Sequence, residues 1–132
     1  MSTLESAPRI DGETTSRVAL TDAAVSLLQG LTAQHGRLMF HQSGGCCDGS
    51  TPMCYPAGAF RTGNADVLLG TFTLPGVADD QAEIEFWMSA EQFQTWKHTH
   101  ITVDVVDGRG GGFSVESPTG KRFLIRSDIM TN

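Results

Sequence analysis

The sequence predicts an α+β domain in which two short helices cover one side of a mostly antiparallel sheet. Three observations predict it. Ile101-Thr102-Val103-Asp104-Val105 alternates apolar and polar residues, the pattern of a strand with one buried face. Two segments carry helix-start signals: Thr21 followed by Asp22, and Ser89 followed three residues later by Gln92. The resulting order is strand, helix, several strands, helix, then strands, with no internal repeat and no low-complexity tract.

Residues 1–16 are polar, carry Glu5, Arg9, Asp11 and Glu13, and read as a flexible N-terminal tail ahead of a single domain over residues 17–132. Arg17-Val18-Ala19-Leu20 is a short strand. Thr21 then offers an N-cap and Asp22 places negative charge at the positive end of the helix dipole. Ala24, Val25, Leu27, Leu28 and Leu31 follow at helical spacing, and Gly30 and Gly36 punctuate the end. Leu38-Met39-Phe40, Val67 to Phe72 and Ile84 to Met88 are apolar strands, the second closed by a turn at Pro75-Gly76. The helix from Ser89 to His98 places Phe93 and Trp96 on one face. After the strand Ile101–Val105 comes a glycine-rich turn, Asp107 to Gly112. Phe113–Glu116 and Arg122–Ile125 then form a final hairpin around Ser117-Pro118-Thr119-Gly120.

The bulk numbers exclude several classes of function. With 39% apolar and 18% charged residues over 132 positions, the chain builds a core without disulfide staples. A net charge of −6 with only nine scattered Lys and Arg residues gives no basic patch for nucleic acid or anionic lipid. No apolar run approaches the ~20 residues of a membrane span, and residues 1–16 lack the apolar core of an export signal. The expectation is a cytoplasmic protein without nucleic-acid or membrane partners. An odd number of cysteines in such a compartment favours metal binding or redox chemistry over a structural disulfide.

The chemistry concentrates in one stretch. All three cysteines, Cys46, Cys47 and Cys54, fall within nine residues, and His41 precedes them. Glycine, aspartate, serine and proline between them disfavour helix and central strand, which places the thiols on a loop. Three readings stay open. Cys46, Cys47, Cys54 and His41 supply three sulfurs and a nitrogen within 14 positions, the donor count of a tetrahedral site for zinc or iron. Against it, side chains of adjacent cysteines diverge, and the spacing matches no standard zinc knuckle. Alternatively Cys46 or Cys47 is a reactive thiol activated by His41, or Cys54 pairs with one of them in a disulfide. In the third reading the loop only shapes an interaction surface. The residues leave open whether the chain is an enzyme.

Other constellations carry bland readings. His98-Thr99-His100 could chelate a metal on a strand, but His98 is expected to end the second helix and favour its dipole. His35 is read as a solvated turn residue. Glu83, Glu85, Asp104 and Glu116 are expected on a polar sheet face, with nothing in the sequence joining two of them for acid–base work. Gly108-Arg109-Gly110-Gly111-Gly112 lacks the Lys-Ser/Thr of a phosphate loop and reads as a connection.

Ser43-Gly44-Gly45-Cys46-Cys47-Asp48-Gly49-Ser50 followed by Pro52-Met53-Cys54 resembles the signature of a bacterial family known as domain of unknown function 779. That resemblance implies an accessory role, since such genes are often met beside those of aldehyde dehydrogenases. The run Val18 to Ala24, leading through a helix and strand to Ser43-Gly44-Gly45-Cys46, is also similar to iron–sulfur carrier proteins of the HesB/IscA type. Those carriers place two further cysteines near the C-terminus, and the tail Arg126 to Asn132 has none. Two cysteine loops joined across a two-fold axis would supply more donors and shield the thiols, and an apolar sheet face with Phe86, Trp87, Phe93 and Trp96 offers a self-complementary patch, so a homodimer with the cysteine loop near its interface is expected.

Overall fold

A computed structural model describes residues 3–10, 12–42, 51–58, 63, 65–96, 99–108 and 114–129. The elements run β1 (Thr3–Glu5), β2 (Ala7–Pro8), β3 (Val18–Thr21), α1 (Asp22–His35), β4 (Leu38–Gln42), β5 (Met53–Pro56), β6 (Asp66–Thr73), α2 (Asp79–Ala82), β7 (Glu83–Ser89), α3 (Ala90–Trp96), β8 (Thr99–Asp107) and β9 (Lys121–Ile129). The fold is α+β, and five of its seven strand pairings are antiparallel. The strands form two sheets rather than one, a four-stranded sheet ordered β1-β3-β8-β9 and a five-stranded sheet ordered β2-β6-β7-β4-β5. The two parallel pairings are β3 with β8 and β4 with β7, and the passages through α1 (β3 to β4) and α3 (β7 to β8) each leave one sheet and enter the other, whereas β6–α2–β7 stays within the five-stranded sheet.

The caps stand where expected. Thr21 closes β3 in an extended conformation, and its Oγ1 accepts from the Ala24 N–H at 3.2 Å. Gly36, at φ 79°, ends α1 with its N–H donating to the Thr32 carbonyl at 2.8 Å, a backbone geometry that suits glycine. Ser89 Oγ accepts from the Gln92 N–H at 3.1 Å and starts α3. His35 lies in the last turn of α1 rather than beyond it.

Period-two alternation assembles the core between the sheets. Ile84, Phe86 and Met88 of β7 are buried and alternate with exposed or half-buried Glu83, Glu85, Trp87 and Ser89. Phe40 of β4 meets Phe86 of β7 at 5.5 Å between ring centroids and Phe123 of β9 edge-on at 5.0 Å, so one ring joins the two sheets. Ala24, Leu28 and Leu31 of α1 and Trp96 of α3 complete the same cluster. Phe93 is only half-buried, with the Arg17 guanidinium 5.2 Å from its ring centre. Among the described residues no helix is long and apolar enough to cross a membrane.

Two expectations about the chain ends change. The segment read as a tail contains β1, which pairs with β3, and β2, which pairs with β6, so residues 3–8 span both sheets. Gly70 permits this approach: a Cβ built there would lie 2.5 Å from Ser6 Oγ and 2.9 Å from the Ala7 carbonyl oxygen. The expected final hairpin is also replaced. β8 pairs directly with β9 along Thr99–Asp107 and Lys121–Ile129, and Ser114–Glu116 turns away to the edge of β5. The Gly70→Ala variant should therefore lose about 1–3 kcal/mol by overpacking and loosen residues 3–8, read as faster amide exchange at Leu4 to Ala7 than in the wild type.

Candidate functional site

Residues 43–50, with Cys46 and Cys47, lie outside the described residues, but the strands that flank them in sequence are fixed. β4 and β5 pair antiparallel, with Phe40 opposite Cys54 and His41 opposite Met53. Directly paired residues share a face, and successive residues alternate. Phe40 and Cys54 thus point into the core, while His41 and Met53 point to the other face. His41 and Cys54, two of the four expected metal donors, leave the sheet on opposite sides.

On the outer face His41 is 3% exposed, and its Nε2 lies 2.7 Å from Asp66 Oδ1. Asp66 opens β6, two strands away, and its Oδ2 accepts from the Gly63 N–H at 2.9 Å. The hydrogen bond from His41 holds the Asp66 carboxyl below its ordinary pKa of 3.8, and the Gly63 N–H and the imidazole charge add to this against a smaller cost of burial. Half-buried Met53, Tyr55, Leu68 and Trp87 share this face of the sheet by register, and the Trp87 indole donates to Glu85 at 3.1 Å.

On the inner face Cys54 carries a free, fully buried thiol within the apolar cluster. Its backbone N–H donates to Ser114 Oγ at 2.8 Å, and its carbonyl accepts from the Val115 N–H at 2.9 Å. The Ser114 hydroxyl donates in turn to Glu116 Oε1. Glu116 is fully buried, and its Oε2 has no hydrogen-bond partner among the described residues. Burial pushes the Glu116 carboxyl above its ordinary value, opposed in part by Ser114 and by the N–H groups of Glu116 and Phe123. Burial also pushes the Cys54 thiol well up, and the negative charge of Glu116 adds to the rise. A thiol in that state is a poor nucleophile and a poor metal ligand, since both roles need the thiolate.

The remaining candidates scatter. His100 sits on β8 and meets Glu5 of β1 at 2.9 Å, while His98 lies outside the described residues. Asp104 accepts from Thr21 Oγ1 at 3.0 Å and from Arg126 Nε at 2.9 Å, a link between α1 and the four-stranded sheet. Glu116, expected on a polar face, is instead in the interior. Among the described residues no three His, Cys, Asp or Glu side chains group as metal ligands. Sequence reading missed Asp66 and Ser114. Asp66 is 25 positions from its histidine, and only the register of β4, β7 and β6 brings the two together.

Replacing Asp66 with Ala should cost about 1.5–3 kcal/mol, the worth of a hydrogen bond to a charged partner, measured by urea unfolding. A carboxyl held below its unfolded value stabilises fully above that value and loses its contribution as pH falls through the folded one. The difference between wild type and variant should therefore be largest above pH 3.8 and shrink in stronger acid.

No curated protein and no solved structure matches the chain. The family described as "Domain of unknown function (DUF779)" matches over residues 27–129, from the middle of α1 to the end of β9. That span takes in His41, all three cysteines, Asp66 and Glu116, and the chain belongs to this family.

Proposed function

We propose that the protein is a small accessory protein that binds a metal ion or metal–sulfur group through Cys46, Cys47 and His41. The observation that carries the reading is the His41–Asp66 pair. A ligating histidine characteristically has one ring nitrogen fixed by a carboxylate, which sets the tautomer and leaves the other nitrogen to the metal. His41 Nε2 meets such a carboxylate, that of Asp66, at 2.7 Å, two residues before the start of the 43–50 segment that carries Cys46 and Cys47. Zinc and iron both accept two thiolates and an imidazole, with a further position left for water, substrate or a partner's donor. Cys54, included among the donors by the sequence, is left out here because its thiol faces the core and its burial favours the protonated form.

Self-association fits the same face. Met53, Tyr55, Leu68 and Trp87 offer a half-buried apolar surface on the same face as His41, so two copies meeting there would supply additional donors and shield the thiols. The association of the family with aldehyde dehydrogenases makes such an enzyme the partner of choice. A second reading rests on the same pair: a histidine oriented by a carboxylate also serves as a base for a catalytic thiol, Cys46 or Cys47.

Elemental analysis of protein purified without oxygen separates the two. Metal near one equivalent per chain or per dimer is expected, lost in the Cys46→Ser/Cys47→Ser variant, reduced in His41→Ala and retained in Cys54→Ala. Metal-free wild-type protein with an acidic thiol in the 46–47 pair overturns the binding reading in favour of the catalytic one.

A further inference from the structure

We propose that the Ser114–Glu116 segment is a pH-sensitive latch over Cys54, shut while the Glu116 carboxyl is protonated and released when it ionises. The latch lies outside the machinery of the proposed function and does not depend on it.

The geometry begins with β5. Among the described residues it is an edge strand, paired on one side with β4 and bordered on the other by no strand of the sheet. Ser114–Glu116 covers that open side through three contacts to one residue: the Cys54 N–H donates to Ser114 Oγ, the Val115 N–H donates to the Cys54 carbonyl, and the Ser114 hydroxyl lies 3.4 Å from the same carbonyl. While they hold, the thiol behind them is fully buried.

Glu116 anchors the latch from below. Its side chain is fully enclosed, Oε1 accepts from Ser114, and Oε2 meets no donor among the described residues. Enclosure with one bare oxygen favours the protonated acid over the carboxylate, although Ser114 and the N–H groups of Glu116 and Phe123 offset part of this. The surrounding elements supply no countercharge among the described residues. On β9, Arg122 donates to Thr51 at 3.0 Å and Lys121 pairs with Asp107 of β8. From β5 the facing ionisable group is Cys54, which is neutral or negative. On the chain beyond Glu116, Thr119 donates through its hydroxyl and backbone N–H only to the Glu116 carbonyl. His41 of β4 is turned to the other face of the sheet.

The sign follows. A carboxyl that holds its proton more tightly when enclosed favours the closed latch below its free value of 4.5, and this advantage is lost as pH rises towards the enclosed value. Each opening releases one proton, so the open fraction grows about tenfold per pH unit in that window.

The test reads Cys54 alone, in the Cys46→Ser/Cys47→Ser background, as the rate of modification by a maleimide between pH 5 and 8. Thiolate formation by itself raises the rate about tenfold per pH unit below the thiol pKa. The latch adds its own tenfold, so the expected slope is about two decades per unit over part of the range. In Glu116→Gln, which keeps the shape and cannot ionise, the slope should be about one decade throughout. Ser114→Ala, which weakens the cover and retains the acid, should label faster at every pH and keep the steeper segment. Slopes of one decade in both Glu116 forms, or the same steep slope in both, overturn the proposal. If Glu116→Gln does not fold, the Ser114→Ala profile decides alone: a steep segment supports the latch and its absence overturns it.

Discussion

Everything at the candidate site depends on the inward position of Phe40. Its ring lies between Phe86 of its own sheet and Phe123 of the other, and the edge-on contact with Phe123 adds about 0.5–1.5 kcal/mol beyond the area buried. Once Phe40 faces in, the pleat turns the next residue, His41, out. The register with β5 then places Cys54 opposite Phe40, facing in as well. A slip of one residue would exchange every assignment, bringing His41 into an apolar core without Asp66 and Cys54 to the outer face. The hydrophobic requirement of one phenylalanine therefore decides which donors share a side of the sheet.

That constraint divides the two described candidates, His41 and Cys54, by chemistry as well as by position. On the outer face, His41 meets the Asp66 carboxylate at 2.7 Å. On the inner face, Cys54 meets burial and a carboxyl group, both of which favour the protonated thiol. A cysteine kept protonated in a core behaves as a small apolar side chain. Proximity in sequence therefore does not carry over to the two described donors: His41 and Cys54, 13 positions apart, leave the sheet on opposite faces.

Much of the fold was legible because local signals and long-range packing agree. Thr21 and Ser89 cap helices through the hydrogen bonds their side chains predict, and the alternation at Ile101–Val105 is the buried-to-half-buried pattern of β8. The misses share a physical origin in pairings that no local pattern encodes. β5 runs from Met53 to Pro56 directly behind Pro52 and reads as loop, yet an edge strand tolerates proline at its end. β1 and β2 are three and two residues long, and they exist because β3 and β6 offer them open edges and because Gly70 leaves room for Ser6. The division into two sheets was equally invisible, since it depends on where each helix delivers the next strand.

Glu116 shows how an alternating pattern can mislead. Phe113-Ser114-Val115-Glu116 suggests a hairpin strand with its polar residues in water, but β9 takes β8 as its partner along nine residues of each and leaves the segment to another edge. There the polar residues turn inward, because the unpaired backbone of Cys54 needs a donor and an acceptor that a neighbouring strand would otherwise supply. Val115 provides one through its backbone and Ser114 the other through its side chain, and the acceptor left over from Ser114's own proton is Glu116. A buried acid at this position is thus the last link in satisfying an exposed sheet edge. A cover built from one backbone bond, one hydroxyl and one buried carboxyl makes fewer hydrogen bonds than a paired strand would, so the edge of β5 is held less firmly than the strands inside the sheet.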